Sequence, residues 1–213
     1  MPHDPLPGRL PRPPSQAPAA SRRGRVALAA LALALSPASL RAAEPAPLDL
    51  AVRPGSALSY RLVHKLHEVT GVSKAVEGKA RLQPDGALQV MVRSRVDAFD
   101  SGNGNRDAHM LEATEAARFP FVTLKAVGAV TPPAAYPARQ EVVLKGELTF
   151  HGVARPVEVP VTVTYTSARR ATASGRISIS LDAFGVERPS LLFVKVDDAV
   201  VVTASLELAA EGP

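Results

Sequence analysis

From Leu48 onward, apolar residues return at every second position in one segment after another. Side chains on a strand point alternately to its two faces, so this period is the signature of strands with one buried face. Tyr60, Leu62, His64 and Leu66 form one such set, and Val76, Gly78, Ala80 and Leu82 a second, with Glu77, Lys79 and Arg81 outside. After a Pro84-Asp85-Gly86 turn come Leu88, Val90, Val92, Ser94 and Val96. Later sets are Val122, Leu124, Ala126; Val142 to Phe150; Val157 to Tyr165; Ile177, Ile179, Leu181; and Val200 to Leu208. About eight amphipathic strands joined by short turns predict an antiparallel barrel or sandwich, all-β and closed around an apolar interior.

One segment departs from the period. Residues 105–117 hold Ala108, Met110, Leu111, Glu112, Ala113, Glu115 and Ala116, all helix formers. A single short helix is predicted there, capped by Asn103 or Asn105 and ended by Arg118-Phe119-Pro120. Pro160 falls on the outward set of its strand, which calls for an edge position or a bulge. Several inward positions are small, among them Gly78, Ala80, Ala126, Gly146, Ala183 and Ala204. Eight-stranded barrels either fill their interior with side chains or leave room for one small ligand. The pattern is compatible with both.

The first 43 residues have another character. Five arginines (Arg9, Arg12, Arg22, Arg23, Arg25) precede an apolar run from Val26 to Leu35, then Ser36-Pro37 and small residues at Ala42 and Ala43. This is the order of a secretory signal, and the expected division is a signal and basic segment over 1–43 with a barrel domain over 44–210. The run is about half the ~20 residues needed to span a bilayer, so no transmembrane segment is expected in the mature chain. The chain carries 25 basic and 20 acidic residues, of which six and one fall in residues 1–43, leaving 19 of each. The mature part is therefore neutral, and its balance does not point to nucleic acid. The chain has no cysteine, which removes disulfides, thiolate chemistry and a lipidated cysteine anchor.

Few residues suggest chemistry. His64 and His67 lie three apart on a strand and diverge, so no metal site is expected. The polar run Asn103 to His109 includes Arg106 and Asp107 and reads first as capping at a strand-to-helix junction. Its functional reading is a polar rim of Asn103, Arg106, Asp107, His109 and the turn residue His151, where Arg106 could meet a phosphate or carboxylate. Gly152 supplies a positive φ at the His151-Gly152 turn. The sequence holds no cofactor motif or nucleophile elbow, and no catalytic residue is expected.

Three stretches together resemble the YceI family. They are Asp100-Ser101-Gly102-Asn103 with Arg106-Asp107-Ala108-His109 and Phe119-Pro120; Gly146 to Val157 through Phe150-His151-Gly152; and Asp182-Ala183-Phe184-Gly185 followed by Val194 to Leu208. The resemblance covers roughly Leu48 to Leu208. It implies an eight-stranded antiparallel, lipocalin-like barrel with one helix, exported to the periplasm or outside. It also implies a tunnel for a polyisoprenoid, isoprenoid quinone or similar lipid, no cofactor, and a homodimer as one assembly state. The contacts implied are Tyr60, Leu62, His64, Ala80, Val90, Val92, Leu124, Leu144, Leu148, Phe150, Val159, Val161, Ile177, Ile179, Phe184 and Val202. The competing expectation is a hydrolase- or isomerase-type enzyme on the same barrel, with His109 and Asp107 or His151 as acid or base.

Overall fold

The computed structural model describes residues 46–64, 67–188, 190–191 and 194–211. The segment 1–43 expected to direct export, and the residues Lys65 and Leu66, lie outside that set, as does the side chain of His64.

Strands β1 (Leu48–His64), β2 (His67–Ser73), β3 (Val76–Leu82) and β4 (Ala87–Arg95) precede the helix α1 (Gly104–Ala113). Then follow β5 (Phe121–Ala129), β6 (Ala138–Phe150), β7 (Val153–Ser167) and β8 (Arg170–Ser180). A two-stranded ribbon, β9 (Ser190–Leu191) and β10 (Val194–Lys195), leads to β11 (Ala199–Ala210). Each long strand pairs antiparallel with the next, and β11 returns to pair with β1 from Leu50↔Ala210 to Arg61↔Val201. The sheet thereby closes into an eight-stranded barrel. β2 and β3 count as one of the eight, because both lie along the same edge of β1, through Leu58↔Ser73 and Leu48↔Leu82.

The interruption between β2 and β3 is held by two hydroxyls. Ser73 Oγ and Ser94 Oγ lie 2.8 Å apart, and both residues are buried. Ser73 Oγ accepts from the Ala75 amide at 3.2 Å and Ser94 Oγ donates to the Ala75 carbonyl at 3.1 Å. Side chains thus serve backbone groups at the break, which would otherwise be buried without partners. Outside the barrel, cross-strand ion pairs follow the register. Asp49 and Arg81 are direct partners, as are Glu77 with Arg93 and Lys145 with Glu158.

The helix begins where Asn103 Oδ1 accepts from the Arg106 amide, so Asn103 is the cap and Asn105 is not. It ends four residues short of the expected 117. Glu115 turns left-handed (φ 45°), its amide donates to Glu112 O, and the Ala116 amide donates to Leu111 O. These are the two bonds of a Schellman stop, built here without glycine. Residues 114–119 then run as turns that return the chain to β5.

Pro160 occupies the local edge its chemistry requires. The β7–β8 ladder runs from Ser167↔Arg170 to Val161↔Gly175, and Pro160 is the next residue beyond it. Past that point β7 pairs with β6 and β8 with β11, so the barrel wall has a seam between β7 and β8. The 3-10 turn Asp182–Phe184 contacts both strands there. Small inward residues do not all mean open space. A Cβ on Gly146 would overlap the Lys125 carbonyl and Ala126, so that glycine permits close strand contact.

Candidate functional site

The barrel interior divides into two buried clusters. One centres on Val142, Leu144, Val159, Val161, Val163 and Tyr165, the other on Leu148, Leu181, Phe184, Val186 and Val200. Between and along them runs one cavity of about 540 Å³. An apolar space of this size is large enough for a chain-like ligand and unlike the few small voids of an ordinary core.

Of the residues expected from the sequence to touch a ligand, Tyr60, Leu62, Ala80, Val90, Val92, Leu124 and Leu144 line this cavity. So do Leu148, Phe150, Val159, Val161, Ile177, Ile179 and Val202. Phe184 does not. It is 2% exposed and packs its ring 5.8 Å from that of Phe150, edge to face, within the second cluster. Its backbone belongs to the turn at the β7–β8 seam, so the inward alternation of a strand does not apply to it. Ala183 lies in the same turn rather than on a strand, and its carbonyl accepts from Arg155 Nε at 2.9 Å.

The helix supplies one end of the cavity. Arg106, His109, Met110 and Ala113 all line it, spaced i, i+3, i+4 and i+7. That spacing is one helical face, and it was readable in the sequence as a stripe. Asp107 is off that stripe; both its oxygens lie 3.2 Å from the Ser101 amide. Asn103 is spent on the cap. Arg106 is braced by donating from Nε to Ser101 Oγ at 2.8 Å and from Nη2 to Ser101 O at 2.9 Å. Tyr60 completes this end. Its ring lies across Gly71, where a Cβ would overlap it, and 5.6 Å from the ring of Phe99. Burial pushes the Tyr60 phenol up, the Asp107 charge adds to this, and the Arg106 charge opposes it. The result is a neutral hydroxyl near the Arg106 guanidinium, at the end of a mostly apolar chamber that His109 also lines.

A YceI-like domain matches residues 53–208. The chain belongs to the YceI-like family. Solved structures with the same fold include a polyisoprenoid binding domain from Saccharophagus degradans implicated in plant cell wall breakdown. It is 18% identical with a TM-score of 0.64, covering 76% of this chain and 99% of that one. BcnA of Burkholderia cenocepacia is 24% identical with a TM-score of 0.58, covering 73% and 98%. The YCEI protein of Campylobacter jejuni is 15% identical with a TM-score of 0.53, covering 71% and 90%. Comparison with curated protein sequences finds no match.

In this YceI-like barrel the expected polar rim is split. Arg106 and His109 face the cavity, whereas Asn103, Asp107 and His151 do not line it. His151 is more than a turn residue. Its side chain is 10% exposed, its Nδ1 lies 3.1 Å from the Phe184 carbonyl, and its ring stacks edge-on to Phe119 at 5.0 Å. Nε2 lies 3.3 Å from Glu115 Oε1, without hydrogen-bond geometry. The imidazole therefore joins three loops in the wall. Sequence reasoning also passed over Leu50, Val52 and Leu58 of β1, which line the cavity. The alternation Leu48, Leu50, Val52 carried that signal. Among the described residues, no group of three His, Asp or Glu is placed to hold a metal ion, and no helix is long and apolar enough to cross a membrane.

Proposed function

We propose that this protein is a non-enzymatic binder that holds a long apolar molecule, such as a polyisoprenoid or isoprenoid quinone, inside its barrel. The observation that carries this reading is the cavity of about 540 Å³, whose wall comes from every strand of the barrel and is almost wholly aliphatic. An apolar chain entering it leaves water at about 0.8 kcal/mol per CH₂, so binding needs no charged anchor. The family relationship and the polyisoprenoid-binding Saccharophagus domain support the same class of ligand. Binding is favoured over acid–base catalysis because Asp107 is turned away from the cavity and held by Ser101, while His151 is built into the wall. A polar head would sit at the helix end, where Arg106, His109 and the Tyr60 hydroxyl offer donors. The basic and apolar segment over 1–43 supports export of the mature barrel.

The test is direct. Purified protein is incubated with an isoprenoid quinone or a polyprenol, freed of excess, and examined by native mass spectrometry and solvent extraction. A retained stoichiometric lipid is expected. Protein that neither carries a lipid nor acquires one overturns the reading. Export is checked separately by N-terminal sequencing of protein recovered outside the cytoplasm; an uncleaved chain found only in the cytosol refutes it.

A further inference from the structure

The main cavity does not end at a solid floor. At the end opposite α1, Leu50, Leu82, Tyr165 and Ala171 line it, and the same four residues also line a second space of about 140 Å³. They come from β1, β3, β7 and β8, so they form a partition of four side chains across the barrel. Beyond it the second space is bounded by Leu48 and Tyr136 and roofed by Pro132 and Pro133. The roof is braced: Gln140 accepts from the Thr131 amide at 3.0 Å and donates back to its carbonyl. Ser167, Ala168 and Arg170 complete its lining, and Pro132 and Tyr136 are exposed, so this outer space is a mostly apolar compartment, partly open to solvent, that shares a wall with the first.

The partition is thin. Ala171, 2% exposed, contributes only a methyl group. Tyr165, its direct partner across β7 and β8, contributes the bulk. Tyr136 and Tyr165 both line the outer compartment, and burial first and the Tyr136 phenol second push the Tyr165 phenol up. Tyr165 is thus the side chain of this wall whose displacement would join the two spaces.

We propose that the outer compartment receives the terminal units of a ligand longer than the main cavity, and that Tyr165 and Ala171 set the chain length the protein accepts. The proposal rests on the lipid-binding reading above and adds to it a length rule with named residues. The occupant is the tail of the same chain, because the compartments share the wall of Leu50, Leu82, Tyr165 and Ala171 and the outer lining is mostly apolar.

The experiment is a length series. Polyprenols of increasing isoprene number compete against a bound apolar fluorophore on wild-type protein, Ala171→Phe and Tyr165→Leu. Affinity on the wild type is expected to rise by at least about tenfold per buried isoprene unit until both compartments are full, then to level off. Ala171→Phe should level off at a shorter prenol than the wild type does, since the ring closes the passage, whatever its affinity for the shortest prenols. Tyr165→Leu should extend the rise or steepen it for the longer prenols. If no prenol of any length binds the wild type, the functional reading fails and the length rule with it. If short prenols bind but the levelling point is the same in all three proteins, the functional reading stands and the length rule is overturned. Should Ala171→Phe not fold, the Tyr165→Leu comparison alone decides between these outcomes.

Discussion

The Nδ1 atom of His151 lies 3.1 Å from the carbonyl oxygen of Phe184, which ties the β6–β7 turn to the 3-10 turn at the β7–β8 seam. A carbonyl can only accept, so Nδ1 carries the proton in this contact. Arg155 Nε holds the neighbouring Ala183 carbonyl at 2.9 Å. Together they clamp the turn where the barrel has no strand-to-strand ladder. His151→Asn keeps a side chain that tolerates the left-handed backbone at φ 50° but removes the imidazole. The expected outcome is a loss of about 1–3 kcal/mol in denaturant unfolding. Amide exchange should quicken at residues 182–186 more than in β1 or β11. Equal protection across the barrel would show that the clamp is not local.

The Ser73–Ser94 pair makes a second, independent expectation. Its two hydroxyls satisfy each other and the Ala75 peptide in a fully buried place. Ser94→Ala leaves Ser73 Oγ and the Ala75 carbonyl short of a partner and should cost about 1–3 kcal/mol. Because both serines act as one unit, the double change to alanine should cost clearly less than the sum of the single changes. Chemical denaturation of the four proteins in the cycle gives the coupling; additive costs would contradict the shared role.

Much of this architecture was legible because strand alternation is a strong local signal. Val90, Val92, Leu124, Leu144, Val159 and Val161 all line the cavity where period two places them. Phe184 does not line the cavity, because it lies in a 3-10 turn, where alternation has no meaning. The end of α1 was set too late because its stop rests on Glu115 in a left-handed conformation, which no glycine announces. His151 was undervalued for a different reason. Its partners come from two separate segments, Glu115 and Phe119 from the turns after α1 and Phe184 from the 3-10 turn, and such meetings leave no mark in local sequence. The polar end of the cavity was half readable: the spacing of Arg106, His109, Met110 and Ala113 defines a face, but only the fold turns that face inward.

The seam turn also has a titratable anchor. Asp198 Oδ1 accepts from the Asp182 amide at 2.8 Å, and the carboxyl is held below its ordinary value of 3.8 by that bond first and by the Ser180 hydroxyl second. A carboxylate with a lowered folded-state value contributes stability above the ordinary value and loses it as pH falls through the depressed one. Asp198→Asn should therefore lower the melting temperature at neutral pH. The gap between variant and wild type should narrow as pH is taken below 3.8. A gap that is constant with pH would assign the effect to shape rather than charge.

Val92 offers a test in which stability and binding separate. Its side chain is 7% exposed and stands on β4, part-way along the cavity wall. In a filled core, Val→Phe forces neighbours off their rotamers and costs about 1–3 kcal/mol. Here the added ring atoms have the cavity to occupy, so the ligand-free protein should lose less than about 1 kcal/mol or gain slightly. The same ring takes space from the ligand. An apolar fluorophore that binds the wild type should bind Val92→Phe at least about tenfold more weakly, a difference of ~1.4 kcal/mol. Unfolding measured without ligand should therefore change little while titration with it shows a clear loss. A variant that is strongly destabilised yet binds normally would mean that the ligand and the ring occupy different places, and that the cavity wall at Val92 is not where the chain lies.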